Sequence, residues 1–357
     1  EHGAATADRG GHRAILPGEP VRSELVQRVS SKNDDERMPP PDSGPALTAD
    51  EIDILRRWIK NGAEYQTHWS FISPKRPALP KVADPSWPKN SIDHFVMTRL
   101  DQQQQKPSTE ADSAILIRRV SLDLTGLPPT TEEIIDFEKA FEHTPVAAYS
   151  KLIDRLLKSP RYGEHMAVGW LDTARYADTN GYFTDNDRTM WPWRDWVINA
   201  FNKNMPFDQF TIEQLAGDLL PNATIDQKIA TGFNRNHMVN NETGIIEEEF
   251  RVEYVVDRAD TTATVWMGLT VGCARCHDHK YDPISQKDFY RFFAFFNNVP
   301  ERGLSGSGGN STPTLKVPAK EIQRRLAKTR REVASVEQKF AAVKKQLDVE
   351  QAAWEAT

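Results

Sequence analysis

The chain holds two cysteines, and they stand three positions apart in Cys273-Ala274-Arg275-Cys276, with His277 directly after. So few cysteines exclude a disulfide scaffold and give the pair one local purpose. Three chemistries use such a pair. C-x-x-C-H is the pattern of c-type heme attachment: two thiols add across the vinyl groups, and the next histidine lies under the ring as an iron ligand. Zinc needs two further donors. Only His277 and His279 are near, and four donors within seven residues are tighter than usual zinc spacings. A redox dithiol needs no histidine there, and the flanks lack a βαβ pattern. Covalent heme c on Cys273 and Cys276, with His277 as the proximal iron ligand, uses all three residues.

The length of 357 residues suits two domains, or one large domain with appendages. At 38% hydrophobic and 27% charged the composition is that of a soluble protein. A net charge of -6 leaves no basic footprint, which argues against nucleic acid as a partner. No apolar run approaches the roughly 18–20 residues of a membrane span. The chain begins at Glu1 without a signal peptide and reads as a piece of a longer precursor, with its targeting segment elsewhere.

Helical grammar dominates. Residues 23–29 form a short helix candidate ahead of a stiff Arg37-Met38-Pro39-Pro40-Pro41 loop. Thr48 and Glu51 make a capping box for a helix that places Ile52, Leu55 and Ile59 on one face and ends at Gly62. Prolines from Pro74 to Pro88 impose an extended stretch. Helical periodicity recurs over 92–100, 113–122 and 146–157, and further boxes stand at Thr130/Glu133 and Thr224/Gln227. The expected fold is mainly α, a loop-rich helical heme-binding domain. Its expected divisions are a helical first segment (1–66), for which the family resemblance given below implies a partial cytochrome c-like domain, the heme domain (67–302), a flexible linker (303–317) and a coiled-coil segment (318–357). In the last, Ile322, Leu326, Thr329, Val333, Val336, Phe340, Val343 and Leu347 alternate spacings of four and three, the seam of a coiled coil or long helical hairpin.

A distal iron ligand is less plainly written. His237 and Met238 are adjacent in a polar loop; His165-Met166 and Met190 are further options, Met166 also reading as core. Histidine would hold the potential low and methionine would raise it. Asp278 and Asp282 are candidate acceptors for the His277 imidazole, His279 and Arg275 candidate contacts at the heme rim. The aromatics Tyr176, Tyr182, Phe183, Trp191, Trp193 and Trp196 lie among Asp178, Asp185 and Asp187. Packing is their default, with heme contact or carbohydrate binding behind it. Glu247-Glu248-Glu249 reads as a helix N-terminus before it reads as a calcium site.

Several long stretches resemble the planctomycete cytochrome c proteins. They are DLTGLPPT (123–130), ARYADTNGY (174–182), NMPFDQFTIEQLAGDLLP (204–221), EFRVEYVVDR (249–258) and GCARCHDHKYDPISQKDFYRFFAFFN (272–297). The first segment, through AILPGEP (14–20), ERMPPP (36–41) and LTADEIDILRRWIKNGA (47–63), is similar to the second half of that family's small cytochrome domain. The resemblance makes Met38 a candidate axial ligand of a second heme, whose attachment motif would lie upstream. It also implies a further C-terminal domain.

These readings point to an extracytoplasmic (periplasmic or other cell-envelope) c-type cytochrome that passes electrons to a redox partner protein or a downstream domain. Two others stand beside it. One is a heme enzyme of peroxidase or oxidase type with an open distal site and His237 as acid/base. The other is a structural or polysaccharide-binding envelope protein, with the coil meeting a coiled-coil partner.

Overall fold

The computed structural model describes residues 2–66, 68–304 and 309–356, with side chains for all of these except 2, 320, 323 and 346. Thr67, and residues 305–308 within the expected linker, lie outside the described residues. The chain forms two compact units, Glu1–Ser108 and Thr109–Thr357.

The first unit carries α1 (His2–Thr6), α2 (Glu24–Ser30), α3 (Ala49–Lys60) and α4 (Ser91–Gln102). The capping box of α3 forms as its sequence requires, with Glu51 N–H donating to Thr48 and the Glu51 carboxylate accepting from the Thr48 N–H. Ile15, Val26, Ile59 and Ala63 close a small core against Trp58 and Leu25. Helix α4 falls within this first compact unit. Asp101 accepts from the Ala83 N–H at 3.0 Å, and His94 lies 3.2 Å from the Pro80 carbonyl, so α4 is tied to the proline-rich stretch before it.

In the second unit, α5 (Ser113–Thr125), α6 (Thr131–His143) and α7 (Pro145–Leu157) enclose Ile117, Val120, Phe137, Ala148, Leu152 and Leu156. Then α8 (Pro160–Thr173), α9 (Trp191–Asn202), α10 (Phe207–Ala216) and α11 (Ile225–Ala230) surround a larger core built on Ala167, Trp193, Trp196, Val197, Phe210 and Phe233. Close approach of α8 to α9 depends on Gly163, where a Cβ would come 2.4 Å from the Ile198 carbonyl oxygen. The Gly163 N–H uses that proximity to donate to Asn202 at 2.8 Å.

Next, α12 (Glu247–Thr262) widens into a π-helical turn, Ala263–Met267, which Gly268 stops in the left-handed region (φ +63°). The acids that open it are matched locally: Glu247 pairs with Arg302 and Glu248 with Arg251. Helix α13 (Gln286–Ala294) begins at a Ser285/Asp288 capping box, and α14 (Lys320–Glu355) is one helix of 36 residues. The fold is mainly α. Among the described residues there is no sheet, only an isolated bridge between Thr179 and Asp187.

The far part of the expected linker is anchored. The Asn310 side chain accepts from the Thr189 N–H at 2.6 Å and donates to the Thr189 carbonyl at 3.2 Å. Arg235 donates to the carbonyls of Ser311 and Thr312.

Candidate functional site

Cys273 lies on a 3-10 turn, Gly272–Arg275, which Cys276 directly follows, and both thiols are exposed. The residue between them explains why. Ala274 is fully buried, in a cluster with Ala263, Val271 and Phe289, so the turn is pinned at Ala274 and presents the two cysteines outward. Helix α13 braces it from outside: Gln286 Nε2 and Tyr290 Oη each donate to the Arg275 carbonyl at 3.1 Å. Asp278 accepts from the Gln286 N–H at 2.8 Å and so holds the start of α13 rather than the imidazole.

The exposed ring of His277 has its Nδ1 2.7 Å from the Asp278 carbonyl oxygen. A carbonyl only accepts, so Nδ1 carries the proton and Nε2 keeps the lone pair. That is the tautomer a proximal iron ligand needs, set by a backbone carbonyl where the sequence suggested a carboxylate. His279 turns inward as a local cap, its Nδ1 accepting from the Asp282 N–H at 2.9 Å. Arg275 is engaged by both oxygens of Glu253. Hydrogen bonding to Glu253 holds its pKa above the ordinary arginine value. Among the described residues, no three His, Cys, Asp or Glu side chains group as a metal cage would, so a zinc site over Cys273, Cys276, His277 and His279 is not preformed. Two exposed thiols beside an imidazole with a free Nε2 fit heme c.

His237 has a different setting. It is buried and stacks on Tyr254, with ring centroids 4.6 Å apart. Nδ1 faces the Met238 carbonyl at 2.9 Å, and Nε2 faces Glu301 Oε2 at 3.5 Å. Glu301, itself buried, accepts from Arg235 at 2.7 Å and from Arg258. Arg188 clamps the same loop from the other side, donating to the carbonyls of Asn236 and His237 at 2.9 Å each.

Burial lowers the His237 pKa below the usual imidazole value. For Glu301, burial pushes the carboxyl up, but contacts with His237 and Arg258 more than reverse this, to about 2. Serving as an axial ligand would take the His237 ring out of this network. Its neighbour Met238 is exposed and packs over Gly181. Met190 is buried at the start of α9, and Met38 is partly exposed in the first unit. His165 packs against Gly126. Sequence reading missed Glu301, Arg258 and Arg235, and no local signal marks them: Glu301 lies 43 and 66 residues from its arginines.

Of the aromatic group, Trp193 and Trp196 fill core and Tyr176 stacks on Trp193. Trp191 is half-exposed on the wall of a cleft of about 1020 Å³. Leu219, Phe295, Asp218 and Lys228 also face that cleft.

The fold and the loop together define a helical protein with an outward-facing C-x-x-C-H turn. Residues 91–301, more than half of the chain, match the model of PSCyt2, a family described as proteins of unknown function (DUF1549), and the chain belongs to that family. Residues 1–42 match the planctomycete cytochrome C model, so this segment, with Met38 in it, is related to cytochrome c. No curated protein and no solved structure matches the chain significantly.

Proposed function

We propose that the second unit is a c-type cytochrome module, with one heme joined by thioethers to Cys273 and Cys276 and with His277 Nε2 as the proximal iron ligand. One observation carries the reading. The burial of Ala274 turns both thiols outward while the Asp278 carbonyl fixes the tautomer of His277. When bound, the heme supplies a one-electron redox centre. The protein's own residues supply position. Gln286 and Tyr290 hold the Arg275 carbonyl, and the Arg275–Glu253 pair ties the turn to α12.

The cytochrome c relationship of residues 1–42 supports a role in electron transfer to a partner or a downstream domain. Covalent heme c is assembled outside the cytoplasm, which sets the proposed location in the periplasm or cell envelope. No helix among the described residues is long and apolar enough to cross a membrane. Expression with a c-type heme assembly system, followed by oxidised, dithionite-reduced and CO-treated spectra, tests the proposal. A low-spin heme indifferent to CO is the expected result. A high-spin heme that takes up CO would favour an enzyme with an open distal site instead.

The cleft beside Trp191 favours a second reading, carbohydrate binding. Retention on polysaccharide that Trp191→Ala abolishes would support it, and unchanged retention would remove it.

A further inference from the structure

Helix α14 carries an apolar stripe that no element covers among the described residues. Ile322, Leu326, Val333, Val336, Phe340, Val343 and Leu347 are 44–69% exposed. A stripe with this spacing needs a facing helix. The spacing puts Leu326, Val333, Phe340 and Leu347 at one core position of the heptad (a), and Ile322, Thr329, Val336 and Val343 at the other (d). The charges beside the stripe then decide what can face it. Arg325, Glu332 and Lys339 precede an a residue (position g), while Arg330, Glu337 and Lys344 follow a d residue (position e).

Two parallel copies in register would set each g residue against the e residue five positions on in the other helix. The pairs are Arg325 with Arg330, Glu332 with Glu337, and Lys339 with Lys344. Every one is like-charged. Two antiparallel copies, with Val333 of one opposite Val336 of the other, instead bring g to g and e to e. Glu332 then meets Lys339 of the second copy, and Arg330 meets Glu337, each twice by the two-fold axis. All four contacts are unlike-charged.

The core positions agree with the charges. In the antiparallel register Phe340 faces Thr329, Ile322 faces Leu347 and Leu326 faces Val343, so the bulkiest residue of the seam meets its smallest. In the parallel register Phe340 would crowd Phe340, and Thr329 would sit on Thr329.

We propose that α14 is a self-association arm that pairs antiparallel with α14 of a second copy, centred between Val333 and Val336. The two copies then stand at opposite ends of a coil on the order of 40 Å long, at about 1.5 Å per residue over 322–347. This is independent of the heme reading.

The test is sedimentation equilibrium of the whole chain at about 10–100 μM under reductant, which keeps the exposed thiols from cross-linking. A reversible dimer is expected. Glu332→Lys places lysine against Lys339 at two places and should weaken the dimer by about tenfold, from two exposed pairs each worth up to about 1 kcal/mol. Lys339→Glu should do the same, and the two changes together should restore wild-type affinity. A monomer at 100 μM would overturn the proposal. So would a dimer that Glu332→Lys tightens, because that change relieves repulsion only in the parallel arrangement. A dimer indifferent to both single changes would place the contact elsewhere.

Discussion

His277 and His237 belong to the same compact unit and occur in polar loops of similar character, yet they face opposite environments. Each has a backbone carbonyl from the next residue on Nδ1, at 2.7 Å for His277 and 2.9 Å for His237. The near edge of each ring is therefore alike, and what differs is the far edge. Nε2 of His277 belongs to an exposed ring beside two exposed thiols. Nε2 of His237 faces Glu301 inside a buried network of two arginines. The comparison teaches that burial, and not the local sequence, separates a residue that can meet a prosthetic group from one that holds the chain together.

The largest expected effect belongs to the exposed loop. Cys273→Ala with Cys276→Ala should abolish covalent heme altogether, read as loss of the heme-stained band on a denaturing gel. His237→Gln should leave attachment and the CO response unchanged. A CO-sensitive spectrum in His237→Gln alone would break the contrast, since it would make His237 a ligand after all.

The interior should respond in stability. Glu301→Gln leaves Arg258 and Arg235 buried without their counter-charge, and loss of about 3–5 kcal/mol is expected by chemical denaturation. A loss below about 1 kcal/mol would mean that the network is solvated.

The same network predicts acid sensitivity. The Glu301 pKa is depressed from 4.5 to about 2 in the folded state, so its contribution is full above 4.5 and is lost as pH falls towards 2. His237, with its pKa held below 6.5 by burial, adds a decline with the same sign that begins nearer 6.5. Denaturation midpoints measured from pH 7 down to 3 should fall in wild type and flatten in Glu301→Gln. Parallel profiles would assign the acid sensitivity elsewhere.

The smallest effect is expected at Arg275. Its pair with Glu253 is partly exposed, so Arg275→Ala should change stability by about 0–1 kcal/mol. A larger loss would show that the exposed loop depends on its ion pair as the interior depends on Glu301.

Local features were legible in the sequence because their physics is local. The boxes at Thr48, Thr130 and Thr224 each form between residues three apart, and all three close as written. The box at Ser285 follows the same rule and was overlooked beside the heme motif. The heptad stripe marked α14 as a long helix.

The C-x-x-C-H motif named the proposed attachment residues, but not the burial of Ala274 or the carbonyl on His277. Those depend on how α12 and α13 pack. The Glu301 network was invisible for the same reason: its partners meet only after the chain has folded. The Arg275–Glu253 contact was equally out of reach of local sequence, because its partners stand 22 residues apart.

The most direct measurement is the intact mass of the purified chain after maturation with a c-type heme assembly system, taken with its pyridine hemochrome spectrum. One added heme and a spectrum of two thioether bonds are the expected result, with both signals absent from Cys273→Ala/Cys276→Ala. An unmodified mass with two free thiols would contradict the account at its centre.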